Sequence, residues 1–377
     1  MIDPEHFYKI LNSYGTDFFT GVPDSLLKSF CAYIADNAGE NNIIAANEGN
    51  AVALAAGYYL ASEKIPVVYM QNSGIGNAVN PIVSLADKMV YGIPMLVLIG
   101  WRGEPYMKDE PQHKKQGLIT VNLIETLGME YDIIDENMTN EQIQSILEKA
   151  YKHMNKNKVP YGIIVRKGAF KEYKLKNAVT NNYTMSREKA IEIILDEIEE
   201  ESVIVSTTGM ASRELFELRE KRNEGHEKDF LTVGSMGHAS SIALGIALNN
   251  KRGKVYCLDG DGAAIMHMGA MAIIGSQKLG NYSHIIINNG VHDSVGGQQT
   301  VGMNIKLAGI AEGCGYKNIY VCSEENELRN AIRETNKTNE LSFIEIRVKK
   351  GARKNLGRPS TIPIENKEIL MNYLRQE

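Results

Sequence analysis

The chain predicts an α/β fold made of two doubly wound, mostly parallel-sheet domains, and three observations predict it. Short β-prone apolar runs recur with room for one helix between each pair, the pattern of βαβ units. Several runs, such as Met95-Leu96-Val97-Leu98-Ile99 and His284-Ile285-Ile286-Ile287, are continuous rather than alternating, as expected of strands covered on both faces. The length of 377 residues suits two domains of ordinary size, and a Lys- and Asn-rich stretch at 169–185 without apolar periodicity divides it. The expected boundaries are 1–168, a linker over 169–185, and 186–377.

In the first half, Pro4 to Ser13 reads as a helix and Phe18-Phe19-Thr20-Gly21 as a strand end. A helix over Ser25 to Ala35, a strand at Ile43-Ile44-Ala45-Ala46 and a helix from Glu48 to Ser62 follow. Pro66 to Met70 is a strand, Asn77 to Asp87 a helix and Met95 to Gly100 a strand. Arg102 to Gly117 reads as a polar loop, Glu141 to Asn155 as a helix and Tyr161 to Val165 as the last strand. Alternation resumes at Ser186-Arg187-Glu188-Lys189, a helix-capping signal. A strand at Val203–Thr207, a helix at Ala211–Lys221, a strand at Phe230–Val233 and a helix at His238–Leu248 come next.

The next βαβ unit carries the chemistry. Val255-Tyr256-Cys257-Leu258 ends in Asp259-Gly260-Asp261-Gly262, a helix is expected from Ala263 to Leu279, and the strand at His284–Ile287 ends in Asn288-Asn289-Gly290. Ligands bind at the carboxyl ends of parallel strands, so Asp261 and Asn289 are expected close together. A carboxylate and an amide oxygen are hard ligands suited to Mg²⁺. Helix-start N–H groups at Ala263 favour a phosphate, and Gly260 and Gly262 allow close backbone approach.

Gly-Asp-Gly followed after 25 residues by Asn-Asn resembles the diphosphate and Mg²⁺ motif of thiamin-diphosphate enzymes. The segment from Asn288 to Gln298, with His292-Asp293-Ser294 and Gly296-Gly297, resembles that of phosphonopyruvate decarboxylases. The resemblance implies a pyrimidine-binding and a diphosphate-binding domain with no middle domain. It implies that Asp261, Asn289 and the backbone oxygen of Val291 hold Mg²⁺. It places Glu48 against N1′ of the aminopyrimidine, Met236 between Gly234 and Gly237 as the wedge that bends the cofactor, and backbone groups of Gly234 and Met236 on the pyrimidine. It gives His113 a role in proton transfer to the decarboxylated intermediate or product. Asp24, in Gly21-Val22-Pro23-Asp24, suits a substrate-facing acid and a helix N-cap equally. His292, Asp293 and Ser294 are expected near the substrate. Arg353 and Arg358, in the basic run after the last strand, are candidates for the phosphonate.

The implied activity is decarboxylation of phosphonopyruvate to phosphonoacetaldehyde and CO₂ in phosphonate biosynthesis, dependent on thiamin diphosphate and Mg²⁺, in at least a homodimer whose active site lies between subunits. Sulfopyruvate decarboxylation is the nearest rival. A non-catalytic metal- and nucleotide-binding protein is the rival from another class, and Glu48 with Met236 speaks against it. Net charge of −5 argues against generic nucleic-acid binding. The Gly-rich stretch Gln71–Asn77 lacks the third glycine and acidic partner of a dinucleotide fingerprint and is expected near the aminopyrimidine instead. Cys31, Cys257, Cys314 and Cys322 lack zinc-ligand spacing and read as reduced cytoplasmic thiols. The first residues lack the features of a signal peptide, and no apolar run is long enough for a membrane span.

Overall fold

The computed structural model describes residues 1–177 and 180–375 and divides into two compact units, Met1–Ala178 with Ser294–Gln298, and Val179–Asp293 with Gln299–Glu377. Each unit holds one six-stranded sheet, and every strand pairing is parallel.

The strands of the first unit are β1 (Phe19–Gly21), β2 (Asn42–Ile44), β3 (Val67–Gln71), β4 (Leu96–Gly100), β5 (Glu130–Ile134) and β6 (Tyr161–Val165), in the order β2-β1-β3-β4-β6-β5. Its helices are α1 (Pro4–Ser13), α2 (Lys28–Asn37), α3 (Glu48–Ser62), α4 (Ile75–Pro81, continued by a π turn to Ala86), α5 (Pro111–Thr126) and α6 (Asn140–Asn157). The second unit contains β7 (Val203–Ser206), β8 (Asp229–Leu231), β9 (Val255–Gly260), β10 (Tyr282–Asn288), β11 (Asn318–Cys322) and β12 (Ser342–Arg347), in the order β8-β7-β9-β10-β12-β11 read from its opposite edge. The two sheets therefore share one topology, with β7 in the place of β1. Helices α7 (Arg187–Glu197), α8 (Met210–Lys221), α9 (Ala239–Ala247), α10 (Asp261–Met266), α11 (Gly269–Gln277), α12 (Leu307–Gly313), α13 (Glu325–Lys337) and α14 (Pro363–Arg375) accompany the second sheet.

Burial on both faces explains the continuous apolar runs. In β4, Leu96 and Leu98 join one core cluster while Val97 and Ile99 join the other. Strand β10 repeats this, with Ile285 and Ile287 on one side and Tyr282 and Ile286 on the other. Alternate side chains point to opposite faces, so each central strand must be apolar throughout.

Four features differ from the sequence reading. Strands β5 and β11 were not expected. Both are edge strands with mostly half-exposed residues, so neither carries a continuous apolar run. The polar segment 102–117 is a loop only to Glu110. Pro111 opens α5 at a first-turn position, where a missing N–H costs nothing. The expected helix from Ala263 to Leu279 is two helices, broken at His267 (φ −131°, ψ 47°), whose ring lies tilted against that of His238 with centroids 4.4 Å apart.

Residues 178 and 179 of the 169–185 stretch lie outside the described residues. On its first side, Phe170 is buried in the first unit's core and pairs with Ile2, and the backbone N–H groups of Lys176 and Asn177 donate to Asp36. On its second side, the amide of Asn181 donates to the carbonyls of Asn289 and Val348, and Met185 is buried in the second unit's core. No helix among the described residues is long and apolar enough to cross a membrane.

Candidate active site

In the first unit, polar side chains gather where parallel strands end. After β2, Asn47 caps α3 by accepting from the N–H of Asn50 at 3.0 Å, which leaves Glu48 as the first helical residue. Glu48 is 5% exposed, and its Oε2 accepts from Asn77 Nδ2 at 2.7 Å. A Cβ added at Gly74 would lie 2.3 Å from Glu48 Oε1, so the glycine at the end of β3 makes the space that this carboxyl occupies.

Asp24 follows β1 and is fully buried. Its Oδ2 accepts from the N–H groups of Leu26 and Leu27 at 2.8 and 3.3 Å, and its Oδ1 accepts from Gln71 Nε2 at 2.8 Å. Burial raises its pKa despite these donors and the nearby Arg102. The turn-capping geometry suited to its position is thus present, and Gln71 ties it to the end of β3.

Arg102, just after β4, donates from Nε to Asp109 at 2.8 Å and from Nη1 to Ser25 at 2.8 Å. The guanidinium and two backbone N–H groups hold Asp109 well below the usual carboxylate range, although burial opposes them. This pair folds the loop that leads into α5 and brings His113 in its first turn to 8% exposure. The expectation of a loop histidine is corrected here: His113 is helical and buried. Gly103 makes this possible, since a Cβ there would meet the His113 carbonyl.

Burial, reinforced by Arg102, lowers the His113 pKa from 6.5 to about 4. The imidazole is neutral at pH 7 in the free chain. Between about pH 4 and 6.5 the unfolded chain binds this proton and the folded chain does not, so stability falls as pH falls through that window. His113→Asn is expected to remove roughly 3 kcal/mol of this acid-side loss. Chemical denaturation of both proteins at pH 4 and pH 7 checks it, and the same pH dependence in the variant would contradict it.

In the second unit, β9 and β10 run in register with Gly260 opposite Ile287, so Asp261 and Asn288 leave the sheet side by side. Asp261 is 3% exposed, and burial raises its carboxyl to about 6 against hydrogen bonds from Thr300 and from backbone N–H groups. Thr300 Oγ1 donates to its Oδ2. Gly262 accommodates His292, whose Cε1 would lie 2.9 Å from an added Cβ. Burial lowers the His292 imidazole to about 4. Asn289 Oδ1 accepts from the N–H of Val291 at 3.1 Å, and its Nδ2 donates to Asp293 at 2.8 Å. Asp293 also accepts from Arg187 at 3.1 Å and from the N–H of Gly351. Its carboxylate therefore pins the loop after β10. Ser294 is exposed in the short 3₁₀ turn Asp293–Val295.

Met236 is half-buried in a turn where Gly234, Ser235 and Gly237 have φ of +71°, +46° and +85°. A Cβ at Gly237 would lie 2.7 Å from the His267 ring and 3.1 Å from the Ala263 carbonyl, so this turn packs closely on α10. Arg353 donates to Glu188 at 2.9 Å and to Glu217, which commits its guanidinium within the unit, and Arg358 is exposed. Cys257, Asp259 and His284, not singled out in the sequence as a group, lie together in the core below Asp261, with His284 reaching Asp259 and Tyr316 at 3.4 Å each.

The donor set fits a magnesium diphosphate. Asp261 supplies a buried carboxylate beside the strand end of Asn288 and Asn289, and the buried Oδ1 of Asn288 has no hydrogen-bond partner. A Cβ at Gly302 would lie 2.5 Å from Asp261 Oδ2 and 3.0 Å from Asn288 Oδ1, so only a glycine leaves this corner open. Oxygen ligands of this kind are those that Mg²⁺ takes.

Residues 4–123 match the thiamine pyrophosphate enzyme N-terminal TPP binding domain, and residues 207–346 match the C-terminal TPP binding domain. Phosphonopyruvate decarboxylase of Streptomyces viridochromogenes is 31% identical over 370 residues, covering 94% of this chain and 90% of that one. The chain belongs to the phosphonopyruvate decarboxylase family of thiamine pyrophosphate enzymes. A second phosphonopyruvate decarboxylase, from Streptomyces hygroscopicus, is 31% identical over 97% of this chain and 92% of its own. Sulfopyruvate decarboxylase of Methanosarcina acetivorans is 28% identical over 99% of this chain and 97% of its own.

Within this family framework, sequence reasoning passed over Arg102, Asp109, Thr300 and Gly302. None stands in a motif: Thr300 and Gly302 lie against Asp261, whereas Arg102 and Asp109 pair with each other and shape the loop before His113.

Proposed function

We propose that this chain decarboxylates 3-phosphonopyruvate to phosphonoacetaldehyde and CO₂, using thiamin diphosphate and Mg²⁺, as a step of phosphonate biosynthesis. The observation that carries the reading is the 31% identity to a phosphonopyruvate decarboxylase over nine-tenths of both chains. Thiamin diphosphate, when bound, supplies a carbon nucleophile and an electron sink for the loss of CO₂. Asp261, Asn289 and the Val291 carbonyl would hold Mg²⁺, with Gly260, Gly262 and Ala263 lining the diphosphate. Gly234 and Met236 would meet the pyrimidine. Glu48 would exchange a proton at its carboxyl oxygens with the pyrimidine N1′, oriented by Asn77. Asp24 and His113 would face the reacting carbon, and His292, Asp293 and Ser294 the substrate.

We further propose a cytoplasmic homo-oligomer, at least a dimer, in which two subunits complete each site. Sedimentation that finds the active species monomeric would contradict this. Sulfopyruvate is the competing substrate, because a sulfopyruvate decarboxylase matches the chain over nearly its whole length. Rates of CO₂ release with the two substrates separate them: kcat/KM favouring phosphonopyruvate by about tenfold, or about 1.4 kcal/mol, supports the reading, and the reverse preference replaces it.

The phosphonate needs cations or N–H donors, and Arg353 and Arg358 remain its candidates. For Arg353 to bind it, the guanidinium must share its charge with Glu188 and Glu217. Arg353→Ala is expected to raise KM for phosphonopyruvate by about tenfold, the loss of one charge-assisted bond of about 1.5 kcal/mol, with kcat little changed. An unchanged KM with a lower melting temperature would make Arg353 a structural pin.

A further inference from the structure

We propose that Thr300 is a positioning residue for the metal site, a clasp that fixes Asp261 to the end of the neighbouring strand. This rests on the reading of Asp261 as a metal ligand. Thr300 is 5% exposed and lies in the loop that returns after β10. The N–H of Gly302 donates to its Oγ1 at 3.2 Å. A backbone N–H can only donate, so Oγ1 accepts there and has its single hydrogen left for Asp261 Oδ2. An ionised carboxylate can only accept, so the hydroxyl donates to it.

The backbone of the same residue reaches the other half of the site. The N–H of Thr300 donates to the carbonyl of Gly290 at 2.9 Å, directly after Asn288-Asn289. Two residues on, the carbonyl of Gly302 accepts from Asn288 Nδ2 at 2.8 Å. The segment from Thr300 to Gly302 thus binds Asp261 at the end of β9 and Asn288 and Gly290 at the end of β10. Its methyl group packs near Gly262, where an added Cβ would lie 3.4 Å from Thr300 Cγ2.

Asp261 and Asn289 follow different strands, so beyond the pairing of β9 with β10 their spacing depends on what joins the two strand ends. Thr300 joins them through one side-chain and one backbone hydrogen bond. A group that orients a metal ligand in this way changes metal affinity without touching the metal, typically by about 10–100-fold when removed.

The test uses Mn²⁺ as a paramagnetic probe, titrated into the full-length protein with thiamin diphosphate and read by electron paramagnetic resonance. Thr300→Val keeps the shape and removes the hydroxyl, and Thr300→Ser keeps the hydroxyl. The expected result is a Kd for Mn²⁺ raised about 10–100-fold in Thr300→Val and held within about threefold of the parent in Thr300→Ser. Thr300→Ala is measured alongside, with the same expected loss, so that poor folding of the valine variant does not remove the comparison. A hydroxyl-free variant that binds Mn²⁺ as the parent does overturns the proposal, and so does a serine variant as weak as the valine one. Asp261→Asn is the control. Normal Mn²⁺ binding there shows that the metal reading of Asp261 has failed, whereas weak binding there with normal binding in Thr300→Val shows that only the clasp has failed.

Discussion

Asp261→Asn is expected to weaken Mg²⁺-supported binding of thiamin diphosphate by at least about a hundredfold, since losing an outer partner of a metal ligand alone costs about 10–100-fold. Asparagine keeps the shape of the side chain and an oxygen that can accept from Thr300, so the variant isolates the charge. Calorimetric titration of thiamin diphosphate at fixed Mg²⁺ measures the effect, and an affinity within about threefold of the parent would contradict it. The metal-free protein should respond in the opposite sense. Burial raises the Asp261 carboxyl to about 6, so the folded chain holds this proton more tightly than the unfolded one. This group then lowers stability as pH rises from about 3.8 to 6, and the full cost persists at pH 7. Without metal, Asp261→Asn should melt no lower than the parent at pH 7. The charge is present for a cation at a cost to the empty fold.

Glu48→Gln is expected to lower kcat by about 10²–10⁴-fold at saturating thiamin diphosphate, the range contributed by one positioned acid or base. Glutamine retains an oxygen for Asn77, so binding of the cofactor should change far less than turnover. Gly74→Ala offers an independent route to the same loss. The added methyl would fall 2.3 Å from Glu48 Oε1, and the carboxyl must leave its place although its chemistry is intact. Steady-state rates for both variants test this. A Glu48→Gln protein within about tenfold of the parent would remove Glu48 from proton transfer.

The architecture was legible where strands are buried on both faces. Strands β3, β4, β9 and β10 each announce themselves by a continuous apolar run, and the polar residues that follow them mark the candidate site. Strands β5 and β11 were hidden because an edge strand exposes part of its side chains, and charged residues such as Glu130 and Asp132 interrupt the apolar signal. The break at His267 was hidden because no glycine or proline occupies it, and the His238 ring it contacts lies 29 residues away in the chain. In the site, Glu48, Asp261 and Asn289 stand in recognisable local patterns. Their supports do not: Asn77 reaches Glu48 across 29 residues, and Thr300 reaches Asp261 across 39. Residues that orient other residues carry no spacing rule, because only the fold decides which chain segment passes close enough.

CO₂ release from phosphonopyruvate by the purified protein, with and without thiamin diphosphate and Mg²⁺, tests the central claim most directly. Turnover that needs both, and disappears when either is withheld, is the predicted result. Turnover that persists in the thorough absence of thiamin diphosphate, or no turnover of phosphonopyruvate, sulfopyruvate or pyruvate with both supplied, would contradict it.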